Sequence, residues 1–280
     1  AEETGRLLAD LHSAAADLPP DSDEVRLLQV TQRDYDRAVK IPASFVAEMT
    51  EAAALSHNAW VRARAASDFK LFQPNLERMF ALARQRADYL GFDEHPYDAL
   101  LDEYEPDMTT GQITVIFDDL RPRITGLLQA VRANGAAVDD GVLRRRYDVE
   151  RQRTLVYDLM RRFGYDFTRG RHDAAPHPFC TSFSMDDVRI TSRILEDDLA
   201  YFLFSALHET GHALYEQGVS PALGRTPLGH GASLGVHESQ SRLWENVIGR
   251  SRPFWNYFYP QVQAAFPDAL GDVSLDTFFR

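Results

Sequence analysis

Apolar residues recur at helical spacing along most of the chain, and proline, glycine and capping residues set the breaks between the runs. Residues 2–17 form an amphipathic stretch that the Pro19-Pro20 pair ends, since proline disfavours helical conformation in its predecessor. Asp21, with Glu24 three residues on, is expected to cap a second helix reaching about Lys40. Pro42 opens a third, in which Phe45, Val46, Met49, Ala53 and Trp60 recur near helical spacing. A fourth runs from about Pro74 to Leu90, with Gly91 as a left-handed stop. Thr109 or Thr110 starts a longer helix ending near Gly135, with Ile113, Ile116, Phe117, Leu120, Ile124 and Leu127 on one face. Residues 143–163 form the sixth.

Between 164 and 194 the period changes to two. Phe179, Thr181 and Phe183, then Val188, Ile190, Ser192 and Ile194, predict two strands joined by a tight turn at Met185-Asp186. Helical spacing returns from about Asp197 to Gln217, a glycine-rich loop covers 218–235, and a further helix runs from about Ser233 to Ile248. An aromatic stretch from Phe254 to Tyr259 follows. The expected fold is mainly α, with a small β-hairpin or sheet beside helix 197–217. It reads as a single region, with 1–163 as helical scaffold and 164–280 carrying the chemistry.

Composition narrows the function. The 280 residues are 44% hydrophobic and 26% charged, a globular balance. A net charge of −12 argues against a nucleic-acid partner, because phosphate contacts need a basic footprint. The single cysteine, Cys180, excludes an internal disulfide framework, and packing is a plainer role for it than nucleophile. The longest apolar run, Leu199 to Leu207, is too short to span a bilayer. Together these predict a soluble cytoplasmic protein. The seven arginines from Arg144 to Arg162 are interleaved with Asp148, Glu150 and Asp158, which reads as a salt-bridged helix face. The glycines around Gly229-His230-Gly231 lack the preceding strand and the spacing of a dinucleotide fingerprint.

The chemical signal is His208-Glu209-Thr210-Gly211-His212 inside an apolar helix. Residues four apart project from one helix face, so two imidazoles can share one metal ion, and Glu209 lies where a base for an activated water belongs. Two histidines and a glutamate on a buried helix also require polar partners. A third protein ligand is needed. Tyr215 and Gly218 occupy the positions where an extended metalloprotease motif would place a glycine and a third histidine, which excludes that class. A second helix offers Glu238, in His237-Glu238-Ser239-Gln240. Glu245 competes with it, although Arg242 is its plainer partner. His237 and His230 stand as outer ligands, substrate contacts or structural residues alike.

The chain resembles the carboxypeptidase Taq-type metallocarboxypeptidases. The motifs that carry the resemblance are His177-Pro178-Phe179, Asp187-Val188-Arg189-Ile190-Thr191, His208 to His212 and His237 to Gln240, with His95 to Pro106 upstream. It implies a helical zincin-type fold with a deep groove, a homodimer, and removal of C-terminal residues from peptides using zinc or cobalt. Metal ligands would be His208, His212 and Glu238, with Glu209 as the catalytic base. His177, Asp187, Arg189, Thr191 and His237 are candidates for substrate or outer contacts. A buried ion pair is an equal reading of Asp187 and Arg189, and strand 187–193 is the candidate for binding substrate backbone by edge addition. The family's later segments, Ile/Tyr-Arg-x-x-Ala-Asp and Gly-x-x-Gln-Asp-x-His-Trp, do not occur here, which predicts a fragment truncated at both ends. Arg189, Arg193 and Arg225 are the cations left to meet a substrate carboxylate. An endopeptidase or dipeptidase with the same metal site, or an inactive metal-binding remnant, are the competing functions.

Overall fold

A computed structural model describes residues 2–135 and 138–280. It is mainly helical and divides into two compact units, Ala1–Ile124 and Thr125–Arg280.

The first unit contains helices α1 (Glu2–Ala14), α2 (Asp23–Lys40), α3 (Ala43–Ala66), α4 (Gln73–Leu90), α5 (Pro96–Leu101) and the start of α6 (Thr110–Asn134). Ser22, rather than Asp21, caps α2 by accepting from the Val25 N–H, the third residue of the helix. In α3 the buried face is Phe45, Ser56, Ala59 and Ala63, whereas Val46 is exposed. Small side chains on that face let α4 pack closely. Gly91, at φ +81°, ends α4, a conformation that glycine takes without strain.

The His95 to Pro106 stretch acts as a clasp within this unit. The His95 ring accepts from the Tyr97 N–H at 3.1 Å, and Pro96 occupies the first turn of α5. Asp98 accepts from the Thr110 N–H at 2.6 Å and from its hydroxyl, which starts α6. Asp102 pairs with both Arg33 and Arg37 of α2. The α6 helix covers the expected span, and Ile116, Phe117, Leu120, Ile124 and Leu127 along it are all exposed.

The second unit holds α7 (Val149–Phe163), β1 (Gly170–Ala174), β2 (Phe179–Ser184), β3 (Asp187–Ser192), α8 (Leu199–Gln217), α9 (Leu234–Arg242) and α10 (Arg252–Ala265), then the short α11 (Pro267–Leu270) and α12 (Leu275–Phe279). Residues 145–148 are not helical, contrary to expectation, and 143–144 belong to a separate 3₁₀ turn, Gly141–Arg144. Asp148 accepts from the Arg151 N–H at 2.9 Å and starts α7 there, while the Tyr147 ring is fully buried before it. Leu155, Val156, Leu159 and Met160 join α7 to a core shared with α8 and α10.

The expected hairpin forms, with Phe179 opposite Thr191 and Cys180 opposite Ile190, and a bulge lies between Ser182 and Ser184. The sheet has a third strand that periodicity does not reveal. β1 runs parallel to β3, giving the order β1-β3-β2. Its sequence, Gly-Arg-His-Asp-Ala, carries almost no apolar signal, and it is held instead by the ladder and by His172.

The His172 ring is largely buried between the Tyr157 hydroxyl, 2.9 Å from Nδ1, and the Ser192 hydroxyl, 2.5 Å from Nε2. Burial, reinforced by the Arg153 charge, pushes its pKa from 6.5 down to about 4. The native imidazole is therefore neutral where the unfolded one protonates. Its stabilising contribution is complete above pH 6.5 and is lost as the pH falls toward 4. The shift corresponds to about 3 kcal/mol at its limit. Urea midpoints at pH 7 and pH 4.5 should fall further in the wild type than in His172→Gln. Parallel pH profiles would overturn this role for His172.

Candidate metal centre

Asp198 caps α8 by accepting from the Tyr201 N–H at 3.0 Å. His208, His212 and Glu216 then follow at four-residue steps and share one face of the helix. Ser233 caps α9 by accepting from the Val236 N–H at 3.2 Å. The two helices meet backbone to backbone at Gly211, where a Cβ would stand 2.6 Å from both the Gln240 carbonyl oxygen and Ser241 Cα. This close approach sets Glu238 against the two imidazoles. Glu238 Oε2 lies 3.6 Å from His208 Nε2 and 3.4 Å from His212 Nε2.

The far side of each imidazole is also engaged. His208 Nδ1 is 2.9 Å from Glu245 Oε2. Glu245 lies in a π-helical turn, Leu243–Ile248, which continues α9. Its other oxygen accepts from Arg250 at 3.0 Å, while Arg242 stands 3.5 Å from the first. The expected pairing of Glu245 with Arg242 is thus the minor contact. The widened turn directs Glu245 to His208, and Arg242 donates to Glu238 at 2.7 Å instead. His212 Nδ1 is 2.7 Å from His237 Nδ1, and His237 Nε2 is 2.9 Å from Glu216 Oε1.

Electrostatics follow from burial. Glu209 is 6% exposed, and burial, with the charges of Glu238 and Glu245 added, pushes its carboxyl up to about 8. Burial, followed by the neighbouring His237 and His208, pushes His212 down to about 4 and keeps it neutral. Glu238 also resists burial. Its hydrogen bond from Ser241 and the nearby His208 and Arg242 hold it below the usual carboxylate range.

His208, His212 and Glu238 fit a divalent ion. Their ligand atoms lie within 4.8 Å of one another. Two ligands of a tetrahedral zinc, each about 2.0–2.1 Å from the ion, stand about 3.4 Å apart, close to the observed separations. With both Nδ1 atoms occupied, both Nε2 atoms face the shared point.

A cleft of about 500 Å³ adjoins this centre. His208, Glu209 and Glu245 border it together with His177, Pro178, Tyr201, Phe204, Ser205, Arg144 and Arg250. Thr191 sets the His177 segment in place, donating to the His177 carbonyl and accepting from the Phe179 N–H, both at 3.1 Å. Asp187 and Arg189 form a two-pronged pair at 2.8 Å, but Arg189 is exposed and neither borders the cleft. The buried-pair reading is therefore corrected: alternation on β3 turns Arg189 outward while Val188 and Ile190 face the core.

Strand 187–193 cannot accept a substrate strand, because β3 is central and paired on both sides. The outer edge of β2, which follows His177 and Pro178, has no partner strand among the described residues. Arg193 and Arg225 do not border the cleft either. Its cations are Arg144, paired with Asp198, and Arg250, whose guanidinium stacks 4.0 Å above the Phe204 ring. Burial pushes the Cys180 thiol up to about 12, so it stays protonated, as a packing role requires.

Sequence reasoning missed Glu216, Arg144 and Arg250. One more four-residue step along the His208–His212 stripe would have reached Glu216. The two arginines come from separate elements: Arg144 reads in the sequence only as the first of a salt-bridged run, and nothing local marks Arg250.

Fold and site together define a helical metallopeptidase architecture. The carboxypeptidase Taq (M32) metallopeptidase family matches residues 1–280, and the chain belongs to that family, whose members use a divalent metal. It is 38% identical over 258 residues to carboxypeptidase 1 of Bacillus subtilis, covering 92% of this chain and 52% of that protein. Thermostable carboxypeptidase 1 of Thermus thermophilus is 40% identical over 269 residues, with the same coverage. The crystal structure of an M32 carboxypeptidase from Deinococcus radiodurans superposes with a TM-score of 0.88 at 43% identity, covering 99% of this chain and 55% of that one. The chain spans about half the length of the curated relatives it matches. Among the described residues, no helix is long and apolar enough to cross a membrane.

Proposed function

We propose that the protein is a metal-dependent carboxypeptidase releasing C-terminal amino acids from peptides, with His208, His212 and Glu238 as ligands and Glu209 as general base. The observation that carries this reading is the convergence of Glu238 Oε2 on both Nε2 atoms, at 3.4 and 3.6 Å, beside a cleft bordered by Glu209. A divalent ion there supplies Lewis acidity toward water and the scissile carbonyl. Glu209 takes the proton of the attacking water and delivers it to the leaving amine. Arg250 and Arg144 are the cleft cations available to a free carboxylate, and the outer edge of β2 is the surface available to peptide backbone. His177 borders the substrate space, and Thr191 holds it there. Zinc is the proposed ion, with cobalt as the alternative. On the strength of the family resemblance, the enzyme is further proposed to be a cytoplasmic homodimer.

The test compares peptides with free and amidated C-termini. Stepwise release of single residues from the free form alone is expected. Internal cleavage of amidated peptides would favour an endopeptidase, and bound metal without hydrolysis of either would favour an inactive remnant.

A further inference from the structure

We propose that His237 and Glu216 form a positioning relay that locks His212 as its Nδ1–H tautomer and aims Nε2 at the metal point. The inference rests on the proposed metal site and concerns residues that touch neither ion nor cleft. A carboxylate only accepts hydrogen bonds, so the 2.9 Å contact with Glu216 places the His237 proton on Nε2. An ion on His212 Nε2 would take that nitrogen's lone pair and leave the His212 proton on Nδ1. Across the 2.7 Å contact between the two Nδ1 atoms His212 then donates and His237 accepts. That leaves the lone pair of His212 on Nε2, facing Glu238. Outer partners of metal-binding histidines commonly act in this way. Here the carboxylate is one residue removed, whereas Glu245 serves His208 directly.

The surroundings show that the relay is built. Glu216 is 6% exposed, and its Oε2 makes no hydrogen bond among the described residues, with His230 Nδ1 3.8 Å away. The His237 ring packs edge-on against Tyr215, with centroids 5.1 Å apart. Gly231 lies against the same two rings, where an added Cβ would stand 2.7 Å from His237 and 3.1 Å from Tyr215. The Gly231 N–H also reaches Glu216 Oε1 at 3.4 Å. The glycine-rich loop thus packs a bare backbone against the His237 and Tyr215 rings. His237 does not border the cleft, which separates this role from substrate contact.

Zinc titration of the full chain against a chromophoric chelator tests the relay, with cobalt(II) visible absorption reporting ligand geometry. His237→Phe keeps a planar ring but loses both hydrogen bonds, and its Kd for zinc should rise roughly 10–100-fold with an altered cobalt spectrum. His237→Gln can accept from His212 and donate to Glu216, and should recover to within about threefold of wild type. Glu216→Gln should weaken zinc binding by roughly threefold or more. Wild-type affinity in His237→Phe, or a Gln variant as weak as Phe, overturns the relay. If His237→Phe does not fold, unchanged zinc affinity in Glu216→Gln overturns it equally. A wild-type chain that takes up no zinc or cobalt overturns the metal site as well.

Discussion

Replacing Glu209 by glutamine is expected to lower peptide hydrolysis by roughly 10²–10⁴-fold while leaving the metal content intact. The substitution keeps the side chain's volume and one carbonyl oxygen, and removes only the ability to accept and return a proton. Glu209 follows His208 on α8 but is not among the three groups whose ligand atoms converge, so the metal site should persist. Burial, with the charges of Glu238 and Glu245 added, pushes its carboxyl up to about 8, and a divalent ion would lower that value toward the range where a base operates. Activity and metal stoichiometry measured on the same preparation separate the roles. A glutamine variant retaining full activity would remove Glu209 from the mechanism, and one lacking metal would make it a ligand or a support for one.

Gly211→Val is expected to destabilise the protein by about 1–3 kcal/mol and to weaken metal binding at least about tenfold. Helix propensity argues the other way, since a glycine inside a helix costs about 0.5–1 kcal/mol relative to alanine. The sign of the effect therefore decides between the two arguments. At Gly211 the obstructing atoms, 2.6 Å from an added Cβ, are the backbone of Gln240 and Ser241 rather than the tip of a flexible side chain. Relief requires α9 to withdraw, and Glu238 withdraws with it. Gly211→Ala should show a smaller loss in the same direction. Thermal unfolding and zinc titration of both variants check this. A raised midpoint with unchanged affinity would mean that α9 moves without consequence for the ligands.

Most helices were legible because their periodicity is long and their ends are marked. Ser22 outcompeted Asp21 as a cap for reasons of backbone placement that composition does not encode. Strand β1 was invisible because it contributes little apolar surface and is held by hydrogen bonds through His172. Overlooking it also misplaced the open edge of the sheet, since a hairpin has two free edges and the three-stranded sheet leaves β3 none. At the site, the four-residue step and the second helix made the juxtaposition of His208, His212 and Glu238 readable. The partners of Glu245 were not readable. Seven-residue spacing from Glu238 presumes a regular α-helix, whereas the π turn alters the direction of every side chain within it.

That turn gives the segment an inheritance rule of its own. Each residue of an α-helix advances the chain by about 100°, so losing or gaining one between Glu238 and Glu245 would swing Glu245 away from His208, and one between Glu245 and Arg250 would part that pair. Amino acids facing solvent there, such as Val247, are free to vary. The number of residues is not: along this stretch the descendants of the sequence can drift in composition while remaining locked in length.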